Sequence, residues 1–297
     1  MNKKIIKVGT RGSKLALWQT EYVVDELKKR VYDVFFDIKI IKTKGDKIID
    51  SPLHEIGGKG LFTKELEEAI LNHEIDMAVH SMKDVPTQLP QGLIIGSILK
   101  RFSPHDALIS KNKIPLKDLK TGVIIGTSSL RRKAQMKAFN QNLIIKDLRG
   151  NVDTRLRKLN EGEFDAIILA TAGLEHLEMT DCITEKLSFD ICLPAVGQGA
   201  IGVEIRENDD LLKEILNFIN HEKTATEVRA ERSFLKILEG GCQVPMGAYA
   251  FIKDNLFTIT GFVSDLDGIN TRREYMEKEA NYNPEEIGEE LGKMFIS

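Results

Sequence analysis

Twice in this chain a short apolar run enters a Gly-Thr turn and then a helix start, first in KVGTRGSKLA at residues 7–16 and again in IIGTSSLRRKA at residues 124–134. Each copy is followed by a second echo, EIDMAVHS at 74–81 and EFDAIILA at 163–170, in which an acidic lead-in precedes a strand. Repetition at domain spacing restricts the chain to two similar units of alternating strand and helix. The intervening pattern agrees. IIKV, FDIKII, DMAVH, GVIIG, NLIIKD and FDAIILA read as buried or half-buried strands, and residues 14–29, 61–72, 129–139 and 152–160 as helices. That rhythm predicts an α/β fold with largely parallel sheets. A chain of 297 residues exceeds what one hydrophobic core usually carries, and 42% apolar residues supply material for about two or three domains.

The expected division is residues 1–99 with 200–219 as a first domain, 100–199 as a second, and 220–297 as a third, small α+β domain. The glycines of LPAVGQGAIGVEI flank an apolar strand that returns the chain from the second unit to the first, and two crossings make a hinge. From His221 the pattern changes: the helix TATEVRAERSFLKIL stops at Glu239-Gly240-Gly241, then AYAFI, LFTITGFVS and RREYMEKE read as strands, and a last helix starts at Pro284. The stretch KGDKIIDSPLHEIGGKG at 44–60 has no sustained period and reads either as a mobile loop over a site or as a plain surface excursion.

Charge and cysteine usage exclude several classes. The formal net charge is only -3, so no overall field favours nucleic acid or a membrane surface. Cys182, Cys192 and Cys242 are an odd number in a long chain, which argues against a disulfide framework and for a reducing compartment. MNKKIIKVGTRGS lacks the apolar core of an export signal, and no apolar run approaches the ~20 residues of a spanning helix. A cytoplasmic protein is expected, with no metal-ligand spacing and no evident obligate protein partner.

The polar residues of interest fall where strands give way to helices. Arg11 and Ser13 in one Gly-Thr turn, and Thr127, Ser128 and Ser129 in the other, sit at helix N-termini, where free N–H groups favour anions; ordinary N-capping by Ser13 and Ser129 is the alternative. Arg131 and Arg132 open the helix after the second turn, and Arg149 and Arg155 occupy DLRGNVDTRL at the next junction. Such arginines either grip a ligand with several carboxylates or are solvated surface charges. In HSMKDVP, Lys83 and Asp84 follow a strand; the carboxylate either steadies a developing cation or caps the turn before Pro86. Cys242, in EGGCQVPMG, lies between a helix stop and a strand beside two glycines, a setting for a nucleophile or attachment point, while Cys182 and Cys192 read as small buried hydrophobes.

Together VGTRGSKLALWQ, GGKGLFTKELE, DMAVHSMKDVP, IIGTSSLRRKAQ, LRGNVDTRL, AIILATAGL, LPAVGQGAIG and EGGCQVPMGAY resemble the porphobilinogen deaminase family, in order and across nearly the whole chain. The resemblance implies two domains like those of solute-binding proteins with an active-site cleft between them, plus a small domain presenting the cysteine. It further implies a dipyrromethane cofactor on Cys242 through a thioether, and porphobilinogen as small-molecule substrate. Each porphobilinogen would lose ammonia to give an azafulvene-like cation, add to the growing chain, and after four additions hydrolysis would release linear hydroxymethylbilane. Asp84 matches the family's catalytic carboxylate. Lys83, Thr127, Ser129, Arg131 and Arg132, with Asp46, would hold the cofactor. Arg11, Ser13, Gln19, Arg149 and Arg155 would hold the incoming or growing chain, and Lys59 and Phe62 resemble a lid and its root. His176 stands where much of the family has an arginine, and the chain stops soon after its last helix begins, trimming the third domain. A solute-binding or effector-sensing module is the rival reading from another class; it leaves Cys242 without a role.

Overall fold

The computed structural model describes residues 4–47, 60–238, 244–279 and 281–296. Lys59 and Cys242 lie outside the described residues, as does the side chain of Asp46. In chain order the first elements are β1 (Lys4–Thr10), α1 (Lys14–Lys28), β2 (Val34–Ile40), α2 (Lys64–Leu71), β3 (Met77–Ser81) and β4 (Leu93–Ile98). Next come β5 (Asp106–Ser110), β6 (Ile124–Gly126), α3 (Leu130–Phe139), β7 (Ile144–Lys146), α4 (Val152–Asn160), β8 (Ala166–Ala170), α5 (Thr171–His176) and β9 (Glu185–Lys186). The chain continues through β10 (Ile201–Arg206), α6 (Asp210–Asn217) and α7 (Glu222–Leu238), then β11 (Met246–Lys253), β12 (Leu256–Ser264), β13 (Thr271–Glu279) and α8 (Pro284–Ile296).

Two five-stranded sheets share one plan, β2-β1-β3-β10-β4 and β7-β6-β8-β5-β9. In each, the first three strands are parallel and the fourth runs antiparallel to both neighbours. The fourth strand is in each case the one delivered by a crossing: β5 follows residues 60–102 of the first unit, and β10 follows residues 103–199 of the second. The expectation of largely parallel sheets therefore needs correction, because a strand arriving from the other unit enters its sheet in the opposite sense. The predicted return through LPAVGQGAIGVEI is β10.

The sequence repeat has a structural counterpart in each sheet. Lys7 N donates to Asp76 Oδ2 at 2.8 Å, and at the equivalent position Ile124 N donates to Asp165 Oδ2 at 2.9 Å. Reciprocal backbone bonds, Asp76 N to Lys7 O and Asp165 N to Ile124 O, are both 2.9 Å. The acidic lead-in of the second echo thus latches the strand of the first. The glycine of each Gly-Thr turn permits the same close approach: a Cβ on Gly9 would lie 2.2 Å from Ile75 Cδ1, and one on Gly126 2.7 Å from Phe164 Cδ1. Buried apolar residues cover both faces of the second sheet, Leu108, Ile125 and Ile168 on one side and Ile109, Ile167 and Leu169 on the other, so these strands read as continuous apolar runs.

By contact density the chain forms two compact units, the first with described residues 4–47, 60–102 and 200–225, the second with 103–199 and the described residues from 226 onward. The predicted small sheet, β11-β12-β13, packs α7 and α8 around Phe234, Phe257, Ile259 and Leu291 and belongs to the second unit. Polar clamps explain that grouping. Buried Glu231 accepts from Gly197 N at 2.7 Å and from Ala250 N at 2.9 Å, while Arg273 donates to Phe189 O at 2.7 Å and Gln135 Oε1 at 2.9 Å. Among the described residues, no helix is long and apolar enough to cross a membrane.

Candidate active site

In the first unit β1 and β3 are parallel, so their carboxyl ends open on one edge of the sheet, where open α/β sheets place ligands. Ser13 caps α1 there, its Oγ accepting from Ala16 N at 3.2 Å, so the capping reading holds for this hydroxyl. The Arg11 guanidinium lies 4.1 Å from the centre of the Phe62 ring. Gly45 comes so close to that ring that a Cβ on it would be 2.3 Å from Phe62 Cε1, and Gly45 N donates to Leu61 O at 2.9 Å. Phe62, expected at the root of a lid, is thus fixed against the sheet edge. Buried Gln19 accepts from Ser81 Oγ at 3.0 Å. Beyond Ser81 the chain makes one 3-10 turn, Met82–Asp84, anchored by Met82 N to Ala200 O at 3.0 Å. Backbone closes that turn, Val85 N to Met82 O at 3.3 Å with no side-chain cap, leaving Lys83 exposed and Asp84 half-buried.

The second unit repeats the arrangement with more charge. Ser129 caps α3 by accepting from Arg132 N at 3.4 Å, again as the capping reading expects, and Thr127 Oγ1 accepts from Ser129 N at 3.3 Å. Arg131 and Arg132 are neither solvated nor simply open to a ligand: they are 5% and 6% exposed, turned onto the fully buried Asp106. Because β5 runs antiparallel, its first residue, Asp106, pairs with the last residue of β8, Ala170, at the edge where the parallel strands end. Arg131 Nη1 reaches Asp106 Oδ2 at 2.6 Å, and Arg132 Nη2 and Nε reach Oδ1 at 2.6 and 3.0 Å. Burial alone would push the Asp106 carboxyl upward; Arg131 and then Arg132 override it and hold it well below the usual carboxylate range.

Cys192 closes the same cluster, its thiol donating to Asp106 Oδ2 at 3.2 Å, and burial with the Asp106 charge pushes this thiol up to about 12. The hydrophobe reading of Cys192 holds, with the addition of a polar partner. A protonated thiol is a poor nucleophile. Alkylation of the folded chain at pH 8 is therefore expected to spare Cys192, and peptide mass mapping that finds it modified as fast as in urea would contradict this.

Arg149 follows β7 and is half-buried, and its Nη2 is buried without a hydrogen-bond partner among the described residues. The same is true of Arg131 Nε and of the Thr171 hydroxyl at the end of β8. Arg155 folds back onto its own junction, Nε donating to Gly150 O at 2.7 Å. His176 ends α5 and is 2% exposed. Sequence reading missed Asp106, Thr171 and Gln198, whose Nε2 reaches Asp106 Oδ1 at 3.0 Å. The only local signal for Asp106 is an acid opening the apolar run DALIS, and nothing local pairs it with arginines some 25 residues later.

Two units of one plan, each with cationic and hydroxyl groups at its strand ends, define a two-unit α/β protein suited to holding anionic groups. The chain belongs to the porphobilinogen deaminase family: the model described as "Porphobilinogen deaminase, dipyromethane cofactor binding domain" matches residues 6–214, and "Porphobilinogen deaminase, C-terminal domain" matches 225–297. The porphobilinogen deaminase of Geobacillus sp. (strain WCH70) is 54% identical over 99% of this chain and 94% of that protein. That of Carboxydothermus hydrogenoformans is 52% identical with the same coverage. Among solved structures, a TRAP periplasmic solute binding protein from Desulfovibrio salexigens covers 75% of this chain and 74% of its own at 13% identity, with a TM-score of 0.44.

Proposed function

We propose that this chain joins four porphobilinogen molecules into linear hydroxymethylbilane with loss of ammonia, working from a dipyrromethane attached to Cys242 through a thioether. The observation that carries this reading is the pair of buried guanidinium N–H groups, on Arg131 Nε and Arg149 Nη2, that have no partner among the described residues. A buried donor left unmatched costs about 1–3 kcal/mol, so such groups are kept for a ligand. The dipyrromethane fits them, because its pyrroles carry acetate and propionate groups; when bound, it supplies a pyrrole carbon as nucleophile.

The chain's own residues divide the remaining work. Lys83, Thr127, Ser129, Arg131 and Arg132 hold cofactor carboxylates, Asp46 joins them in holding the cofactor as an acceptor for its N–H groups, and Arg11, Ser13, Gln19, Arg149 and Arg155 hold the carboxylates of the incoming or growing chain. The Ser13 and Ser129 hydroxyls accept from helix amides and so keep their own O–H proton for a carboxylate. Asp84 accepts pyrrole N–H groups, opposes the cationic charge that develops as ammonia leaves, and moves a proton. Lys59 and Phe62 serve as lid and root. Residues 1–99 with 200–219 carry Asp84 and the lid, 100–199 the arginines, and 220–297 the cysteine loop. A cytoplasmic setting suits an enzyme whose cofactor needs a reduced thiol.

Release of one ammonia per porphobilinogen consumed is the expected result when the purified chain is given this substrate; binding without ammonia release would instead favour a sensing module. Arg149→Gln tests the chain-holding role. The loss of a charge-assisted contact of roughly 1.5–3 kcal/mol should slow pyrrole addition about ten- to a hundredfold, with the cofactor still attached. Time-resolved intact mass reads this as a shifted population of partly elongated enzyme. An unchanged ladder and unchanged turnover would remove Arg149 from the residues that hold the chain.

A further inference from the structure

Asp106 does more than neutralise two buried arginines. Its Oδ1 accepts from Arg132 Nε, Arg132 Nη2 and Gln198 Nε2, and its Oδ2 from Arg131 Nη1 and the Cys192 thiol. These donors saturate a carboxylate, which offers about four lone-pair sites. They also divide the two guanidiniums unequally. Arg132 spends its Nε–Nη2 edge on Asp106 and its Nη1 on Ile168 O at 2.9 Å. Arg131 spends Nη1 on Asp106 and on Leu193 O at 2.6 Å, while its Nη2 makes only a 3.5 Å contact with Gln198 Oε1 and its Nε makes no bond among the described residues. One bidentate edge, Nε with Nη2 of Arg131, is thus held in place and left for another carboxylate.

We infer that Asp106 is a positioning residue for this reaction: by engaging Arg131 through Nη1 and Arg132 through its side edge, it fixes the orientation in which the Nε–Nη2 edge of Arg131 takes a ligand carboxylate. The inference rests on the reading that Arg131 holds the dipyrromethane. A long, flexible side chain pinned before binding loses less freedom when the ligand arrives. Hence the acid lies beside the arginine, where it would otherwise compete with the ligand. Asp106 occupies Nη1 and leaves the bidentate edge unspent.

The conservative variant decides the matter, because Asp106→Asn would strand two buried guanidiniums and unfold the second unit. Asp106→Glu keeps the charge but displaces it by one methylene, and displacement of a positioning group by ~1 Å is felt on the order of tenfold or more. With Asp106→Glu in the full chain, a circular-dichroism melt close to wild type is expected, together with a roughly tenfold smaller fraction carrying the adduct by intact mass. Among the loaded chains, the KM for porphobilinogen should stay within about twofold while kcat falls. Combining it with Arg131→Lys should lower loading no further than the worse single variant, since the two act through one contact. Wild-type loading and kcat in Asp106→Glu, or losses that multiply in the double variant, would overturn the positioning role. Wild-type enzyme without any adduct would remove the cofactor reading, and this inference with it.

Discussion

Cys242→Ser is expected to carry no covalent adduct and to lose turnover on the order of 10³-fold or more, the scale on which removal of a covalent catalytic group is felt. A serine hydroxyl is a far poorer nucleophile than a thiol with accessible thiolate. Neither of the other two cysteines can substitute. Cys192 is fully buried, bonded to Asp106 and pushed up to about 12 by burial. Cys182 is half-buried, burial raises its thiol, and its Sγ donates to Met179 O at 2.9 Å. Intact mass and turnover of the variant check this together: a normal adduct on the serine variant would place the attachment elsewhere.

Asp84→Asn should fold as the wild type does, because the turn that presents it is closed by backbone, Val85 N to Met82 O and Met82 N to Ala200 O. Under the proposed role for Asp84, the variant would remove the negative charge that opposes the developing cation. Loss of a preorganised electrostatic contact of this kind typically costs ~10²–10³ in rate. The effect belongs to the chemical step, so single-turnover measurements on enzyme already carrying the cofactor should reveal it in full. Near-wild-type single-turnover rates would rule Asp84 out as the cation-stabilising group.

The two α/β units were legible because their repeat encodes a physical latch. Gly9 and Gly126 admit the lead-in side chains Ile75 and Phe164, and Asp76 and Asp165 bond back to the preceding strand. Strands with long apolar runs and helices with clear caps at Ser13, Ser129 and Asn151 follow from local chemistry. Strands β4 and β5 were not read, since LIIGSI and DALIS are short runs whose role depends on which sheet edge the chain has reached after other strands have paired. The candidate site residues stood out as residue types at strand ends, yet their burial and pairing were not legible. Arg131 and Arg132 carry the same local sequence whether solvated or buried, and only the antiparallel entry of β5 brings Asp106 against them. The caps at Ser13 and Ser129 use the hydroxyl oxygen as acceptor and leave its O–H as a donor, so capping does not exclude the anion-binding reading.

The central claim, that a linear tetrapyrrole grows on a cofactor held by Cys242, is tested most directly by intact mass of the purified chain before and after adding porphobilinogen. The predicted result is a resting mass that exceeds the polypeptide by one dipyrromethane, mapped to the Cys242 peptide, followed by a ladder of successive pyrrole additions that returns to the resting mass as product is released. A bare polypeptide mass that stays unchanged on adding porphobilinogen would contradict the account.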